Sequence, residues 1–267
     1  MPINVSIVIY KHTVAEIRPL VDVLRKSRYV SEIFLIDNSP LEQEEFVDLG
    51  VTYIFNNKNI GYGAAHNIAI RKTLEQHVAY HLVLNPDIVF KAEILGEIDE
   101  FMNNNSNIGL LMPKVYYPNG EIQYLCKLLP TPFDLIFRRF LPKAWTKKRT
   151  DVFELRASGY NQIMDVPYLS GCFMFLRAES VRKVGLFDER FFMYPEDIDL
   201  TRRIHEKYRT VFYPQVSVVH QHAQGSYAVG RLLFIHMKNM IKYFNKWGWF
   251  FDAERRIINK ETLKQLK

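Results

Sequence analysis

Cysteine is scarce: Cys126 and Cys172 are the two in 267 residues, and they form no CxxC pair. That excludes a disulfide framework, and reduced thiols suit a cytosolic setting. No apolar run approaches the ~20 residues that a membrane-spanning helix needs. The N-terminal apolar run, Val5 to Tyr10, meets Lys11 and His12 too soon to be a signal-peptide core. The expected location is therefore the cytoplasm. Internal repeats, low-complexity runs and Gly/Ser linkers are also missing, which favours one main domain with appendages. What is present, 48% hydrophobic and 24% charged residues, is the balance of a globular chain able to bury a sizeable core.

The net charge of +6 is unevenly placed. Phe133 to Arg149 carries a local +5 and Arg231 to Lys267 another +6, so the remainder is negative. Both basic stretches interleave aromatics: Phe133, Phe137, Phe140 and Trp145 in the first, Phe244, Trp247, Trp249, Phe250 and Phe251 in the second. One reading is solvated charge on packed helices. The other is peripheral contact with an anionic membrane at its inner face, where basic residues beside Trp and Phe suit the boundary. No nucleic-acid-binding motif accompanies the charge, so nucleic acid is not an expected partner.

Strand and helix patterns alternate through the first half. Strands are expected over 5–10, 33–37, 51–55 and 80–84, with helices over 14–27, 63–76 and 92–102. Such alternation implies parallel βαβ units, whose ligands bind beyond the carboxyl ends of the strands. Tyr10, Asp37-Asn38, Asn56–Asn59 and Asn85-Pro86-Asp87 should therefore share one rim. The second half is mixed: a hairpin over 115–123, an irregular insertion over 127–160 and a strand over 166–176. Helices from 178 and over 195–207 follow, then strands near 210–213 and 216–222 and a helical, amphipathic end from about 227.

Four motifs carry chemistry. In Tyr194-Pro195-Glu196-Asp197-Ile198-Asp199-Leu200, three carboxylates follow a proline able to open a helix. Capping and dipole matching account for carboxylates there, and a carboxylate at a pocket rim also suits a general base. Asn85-Pro86-Asp87 leaves a carboxylate at the sheet edge, either as a plain turn or as a contact for a hard divalent cation on diphosphate oxygens. The glycine-rich run from Asn59 to Asn67 enters a helix without the dinucleotide fingerprint or a P-loop lysine, which leaves phosphate binding or close packing. His220 and His222 share one strand face, as structural residues or as a metal or phosphate contact.

Taken in order, Ser6–Tyr10, Ile36–Ser39, Asn59–Asn67, Asn85–Asp87, Gly185–Glu189 and Glu196–Leu200 resemble the family 2 glycosyltransferases, particularly the bacterial rhamnosyltransferase-like branch. The resemblance covers roughly residues 3 to 226. It implies an α/β fold of the glycosyltransferase-A type: a Rossmann-like nucleotide-sugar half over about 1–112, joined to a mixed-sheet acceptor half over about 113–226. Residues 227–267 would be a basic, aromatic helical extension. It further implies that Tyr10 and Asp37 hold the nucleoside base, and that Asn38, Asn59, Gly61, Gly63, His66, Asn67 and Asn85 complete the nucleotide-sugar site. Asp87 would bind Mg2+ or Mn2+ with His220 or His222, and Asp197 would be the catalytic base with Glu196 in reserve. Asn85 replaces the first carboxylate of the family's Asp-x-Asp pattern, and His66 stands where many relatives carry Arg.

The expected reaction is inverting transfer of a sugar from a nucleotide-diphosphate donor to an acceptor hydroxyl. The branch favours dTDP-rhamnose, ahead of a UDP-hexose or UDP-galactofuranose, and a glycan or polyprenyl-diphosphate-linked acceptor. Two other classes compete. A sugar nucleotidyltransferase would carry a basic glycine-rich loop directly after the first strand, where this chain has Tyr10-Lys11-His12-Thr13. A non-catalytic nucleotide-sugar-binding or membrane-surface module would need no base at 197.

Overall fold

In the computed structural model, which describes residues 1–221 and 231–266, the N-terminal half alternates strand and helix as its apolar periodicity requires. The order is β1 (Ile3–Ile9), α1 (Val14–Arg25), β2 (Val30–Asp37), β3 (Thr52–Phe55), α2 (Tyr62–Glu75), β4 (Tyr80–Leu84), β5 (Ile88–Val89) and α3 (Ile94–Asn104). The second half adds β6 (Ile108–Tyr116), β7 (Cys126–Lys127), α4 (Pro132–Leu135), α5 (Lys143–Phe153), β8 (Met164–Asp165), β9 (Tyr168–Leu169) and β10 (Phe173–Arg177). It ends with α6 (Ala178–Val184), α7 (Glu196–His205), β11 (Arg209–His220), α8 (Arg231–Trp247) and α9 (Ala253–Lys264).

One nine-stranded sheet carries both halves, in the order β3-β2-β1-β4-β10-β6-β11-β5 with β8 beside β11. β3, β2, β1 and β4 are parallel, whereas β10 runs antiparallel between β4 and β6. That reversal brings the start of β10 to the edge where β1, β2 and β4 end. Strand alternation sets the layers: Ile3, Val5, Ile7 and Ile9 face the larger core with Ile17, Val21 and Leu24 of α1. On the other face Phe34 and Ile36 pack against Ala65 and Ala69 of α2.

Several expectations change. The strand expected over 166–176 is broken: β9 stops at Leu169 and β10 begins at Phe173, leaving Ser170-Gly171-Cys172 as a crossing loop. The hairpin over 115–123 forms as a short one: Tyr116 bridges Ile122, the Tyr117 amide donates to Glu121 and the Gln123 amide to Val115. The insertion over 127–160 contains α4 and α5. A single strand, β11, spans 209–220 with an irregularity between Tyr213 and Ser217. The C-terminal helices are locked to the body. Arg202 of α7 makes a buried bidentate pair with Asp252 (2.8 and 3.0 Å), and Asn259 of α9 bonds both the amide and the carbonyl of Leu129.

Candidate active site

The carboxyl edge of β1 and β2 forms one wall. Asp37, fully buried, accepts hydrogen bonds from the Ser39 amide (2.8 Å) and the Tyr53 hydroxyl (2.8 Å). Burial and this hydrogen bond to Asp37 push the Tyr53 pKa well up, so it stays a donor. Asn38 ties the wall together: its amide nitrogen donates to the Gly61 carbonyl (3.2 Å), and its side-chain oxygen accepts from Asn56 (2.9 Å). Asn59 accepts from the Gly61 amide (3.0 Å). Tyr10 closes β1 with its ring exposed, free to lie against a flat base.

The glycine-rich entry to α2 is a packing device in this structure. Gly61 has φ +94°, and a side chain there would collide with the Phe192 carbonyl, which accepts the Tyr62 amide (2.9 Å). A Cβ on Gly63 would lie 2.9 Å from Phe187 and 3.4 Å from Glu196. The start of α2 is thus covered by residues 187–196, which corrects the expectation of phosphate against Gly61 and Gly63. His66 is also not at the rim. It is fully buried, its Nδ1 hydrogen-bonded to Ser6 Oγ (2.7 Å) in a chain that continues through His81 to Thr73. Burial lowers its pKa well below the usual value, so it is neutral and carries no phosphate-pairing charge. Asn67, likewise buried, holds the 187–189 loop through the Phe187 amide (3.0 Å), the Phe187 carbonyl and Glu189.

The candidate reactive centre assembles where five segments meet. Asn85 follows β4, and its side-chain oxygen accepts from the Tyr62 hydroxyl (3.0 Å). The same hydroxyl lies 2.7 Å from the Gly171 carbonyl. The Gly171 amide in turn donates to Asp197 Oδ2 (3.0 Å), while Asp197 Oδ1 accepts from the Ile198 amide (2.8 Å). A Cβ on Gly171 would sit 3.3 Å from Asp197 Cβ, so glycine lets β10's entry loop approach the first turn of α7. Burial raises the Asp197 pKa above its ordinary value against these two amide bonds. Glu196 is buried at 4% exposure against α2, with Oε2 unpartnered. Burial and the neighbouring Asp197 charge push its pKa well up, and its side chain packs at Gly63 of α2, where the sequence led to a reserve base being expected. Asp199 is structural: it binds Arg203 (2.8 Å), Lys246 (2.6 Å) and the Trp247 indole (2.8 Å).

At the end of β11, His220 Nε2 lies 3.3 Å from Asp87 and its Nδ1 3.0 Å from Gln123. Burial opposes charge on His220, but hydrogen bonding to Asp87 and Cys172 outweighs it and lifts the pKa to about 10. His222 lies outside the described residues. Among the described residues no three His, Cys, Asp or Glu side chains cluster as a metal site. One half-exposed carboxylate, Asp87, with an imidazole beside it nevertheless fits a hard cation that takes most of its oxygens from a diphosphate and water. Sequence reasoning missed Tyr62, Gly171 and Gln123. All three depend on long-range contacts that local sequence does not mark.

No family model matches the chain. It is 26% identical over 207 residues to the N-acetylglucosaminyl-diphospho-decaprenol L-rhamnosyltransferase of Mycobacterium tuberculosis, covering 72% of this chain and 66% of that protein, just under two thirds of its length. It is 24% identical over 216 residues to the rhamnosyltransferase WbbL of Escherichia coli, covering 77% and 75%. In fold it is similar to GalNAc-T7, solved with UDP, GalNAc and Mn2+: TM-score 0.66 at 14% identity, over 92% of this chain and 48% of that one. These likenesses agree with the resemblance read from the motifs, and the fold is of the glycosyltransferase-A type.

Proposed function

We propose that this chain, which resembles family 2 glycosyltransferases, transfers a sugar with inversion from a nucleotide-diphosphate donor to a hydroxyl of a lipid-linked glycan, in cell-surface polysaccharide synthesis. The observation that carries the reading is the link from Asn85 through Tyr62 and Gly171 to Asp197, which fixes a carboxylate beside the Asn85-Pro86-Asp87 loop. The relatives' names, which print rhamnosyl transfer and for one a diphospho-decaprenol acceptor, support rhamnose as the sugar and a polyprenyl-diphosphate-linked acceptor. The motif resemblance favours dTDP-rhamnose as donor, with a UDP-hexose or UDP-galactofuranose behind.

Donor binding follows from the wall. Tyr10 lies against the base, Asp37 backs that wall through Ser39 and Tyr53, and the diphosphate reaches the Asp87–His220 edge. The two backbone amides hold the Asp197 carboxylate in place, so little reorganisation precedes proton transfer. An acceptor hydroxyl gives its proton to Asp197 as its oxygen bonds to the anomeric carbon. The anomeric carbon–phosphate oxygen bond breaks on the opposite face, so the configuration inverts. Negative charge grows on the leaving diphosphate at the edge where His220 lies 3.3 Å from Asp87. Asp87, with His220 alongside, would hold Mg2+ or Mn2+, whose charge stabilises the same leaving group.

Membrane contact falls on fewer residues than the sequence suggested. Trp247 lies against Arg202 (4.0 Å) and Trp249 bonds Asn245, so neither indole is a free anchor. Phe251 and Phe250, 92% and 63% exposed in the α8–α9 turn, are exposed aromatics of the second basic stretch with Phe234, and Trp145 and Phe137 are those of the first. No helix among the described residues is long and apolar enough to cross a membrane. Replacing Phe250 and Phe251 by Ser should abolish sedimentation with anionic vesicles; unchanged sedimentation would remove this surface from the account.

Incubation with a nucleotide sugar and acceptor tests the reaction class. Release of nucleoside diphosphate is expected, and pyrophosphate exchange would indicate a nucleotidyltransferase instead.

A further inference from the structure

Lys127 is a half-buried cation that the proposed chemistry leaves unused. It lies on β7, backbone-paired with Tyr168 of β9, and its ammonium rides 5.3 Å from the centre of the Tyr168 ring. Among the described residues it makes no ion pair within 4.0 Å. Burial disfavours its charge, Glu154 and Asp197 favour it, and nearby Arg138 adds repulsion. Withdrawing an ammonium from water without a partner is costly, and an arriving anion offsets that cost.

Its position indicates which anion. Tyr168 is three residues before Gly171, whose amide holds Asp197, so Lys127 flanks the base. Tyr62 leads from Gly171 the other way, to Asn85 and the Asp87–His220 edge. His220 lies 3.3 Å from Asp87, whereas Glu154 and Asp197 are the carboxylates near Lys127. Lys127 is therefore a cationic position near Asp197, apart from the Asp87–His220 edge that the donor phosphates reach.

We infer that Lys127, backed by Arg138, receives a phosphate of the acceptor, next to the sugar whose hydroxyl Asp197 deprotonates. The inference rests on the lipid-linked acceptor reading above. A sugar joined to a diphosphate carries anionic oxygens within one sugar's length of its reacting hydroxyl. An uncharged glycan offers this ammonium nothing. The donor diphosphate is the other source of the same chemistry, and the experiment separates the two.

Wild type, Lys127→Met and Lys127→Arg are compared on two acceptors with the same sugar, a short-chain prenyl diphosphate and an uncharged alkyl glycoside. Lys127→Met should raise KM for the diphosphate acceptor about 10- to 100-fold and shift KM for the glycoside less than about threefold, as loss of one charge-assisted contact predicts. Lys127→Arg should recover most of the difference. An increase in donor KM with acceptor KM unchanged would assign the cation to the donor and overturn the inference. Equal losses on both acceptors would overturn it too, making Lys127 a positioning residue for Asp197. If wild type used the glycoside as well as the diphosphate, the lipid-linked reading itself would fall and take this inference with it. Failure of the Lys127→Met result alone leaves that reading standing.

Discussion

Asp197 sits under opposed influences: burial raises its pKa, and amide hydrogen bonds from Gly171 and Ile198 restrain the rise. A base needs that compromise, because a carboxylate held far below neutral pH accepts a hydroxyl proton poorly. Asp197→Asn keeps the shape and both oxygen-side contacts in part but removes the base. Turnover should fall about 10²- to 10⁴-fold, while thermal stabilisation by donor persists; a variant within a few-fold of wild type would displace the base elsewhere. Asp197 was legible in the sequence because three carboxylates after a proline are unusual in a basic chain. Glu196 was legible only as a carboxylate. Its burial against Gly63 and Phe187 depends on how α2 and α7 meet, which local sequence does not encode. His66 misled for the same reason: a histidine beside glycines looks like a phosphate contact, but β1 supplies Ser6 and turns it into core.

Among the elements, α2, α7 and the parallel strands followed from period and from their turns, with ends shifted by a residue or two. The Ser170–Cys172 break did not, since an apolar run on both sides conceals a loop whose function is to reach Asp197. The C-terminal helices were expected as an appendage, and they are instead keyed into the body. Arg202 is 1% and Asp252 3% exposed in their side chains, and Trp247 covers the guanidinium. Asp252 also caps α9 by accepting the Arg255 amide (2.9 Å). Asp252→Ala would leave the buried guanidinium, among carboxylates, only its longer contact to Glu254 (3.5 Å) and should cost about 3–5 kcal/mol in urea unfolding. A loss under about 1 kcal/mol would mean that α9 contributes little to the fold.

At the scale of the whole molecule, stability should depend on pH through the buried histidine chain. Burial drops the His81 pKa to about 3 and lowers that of His66, against an unfolded value near 6.5. Below that unfolded value the unfolded chain binds protons that the folded one refuses. The stabilisation is therefore complete above about pH 6.5 and is lost as pH falls toward 3. His81 alone should account for about 2 kcal/mol lost between pH 7 and pH 5, and His81→Gln should flatten that slope in urea titrations; an unchanged slope would place the proton uptake elsewhere. The same fold brings Asp37, Asp87, Asp197 and His220 to one edge because β10 enters antiparallel beside β4, and that arrangement is the basis for reading the chain as a transferase. The measurement that tests it most directly is NMR of the product made from a nucleotide sugar and a lipid-linked acceptor. The account predicts a new glycosidic bond of inverted anomeric configuration, formed one-for-one with nucleoside diphosphate. Retained configuration, or release of pyrophosphate in place of nucleoside diphosphate, would contradict it.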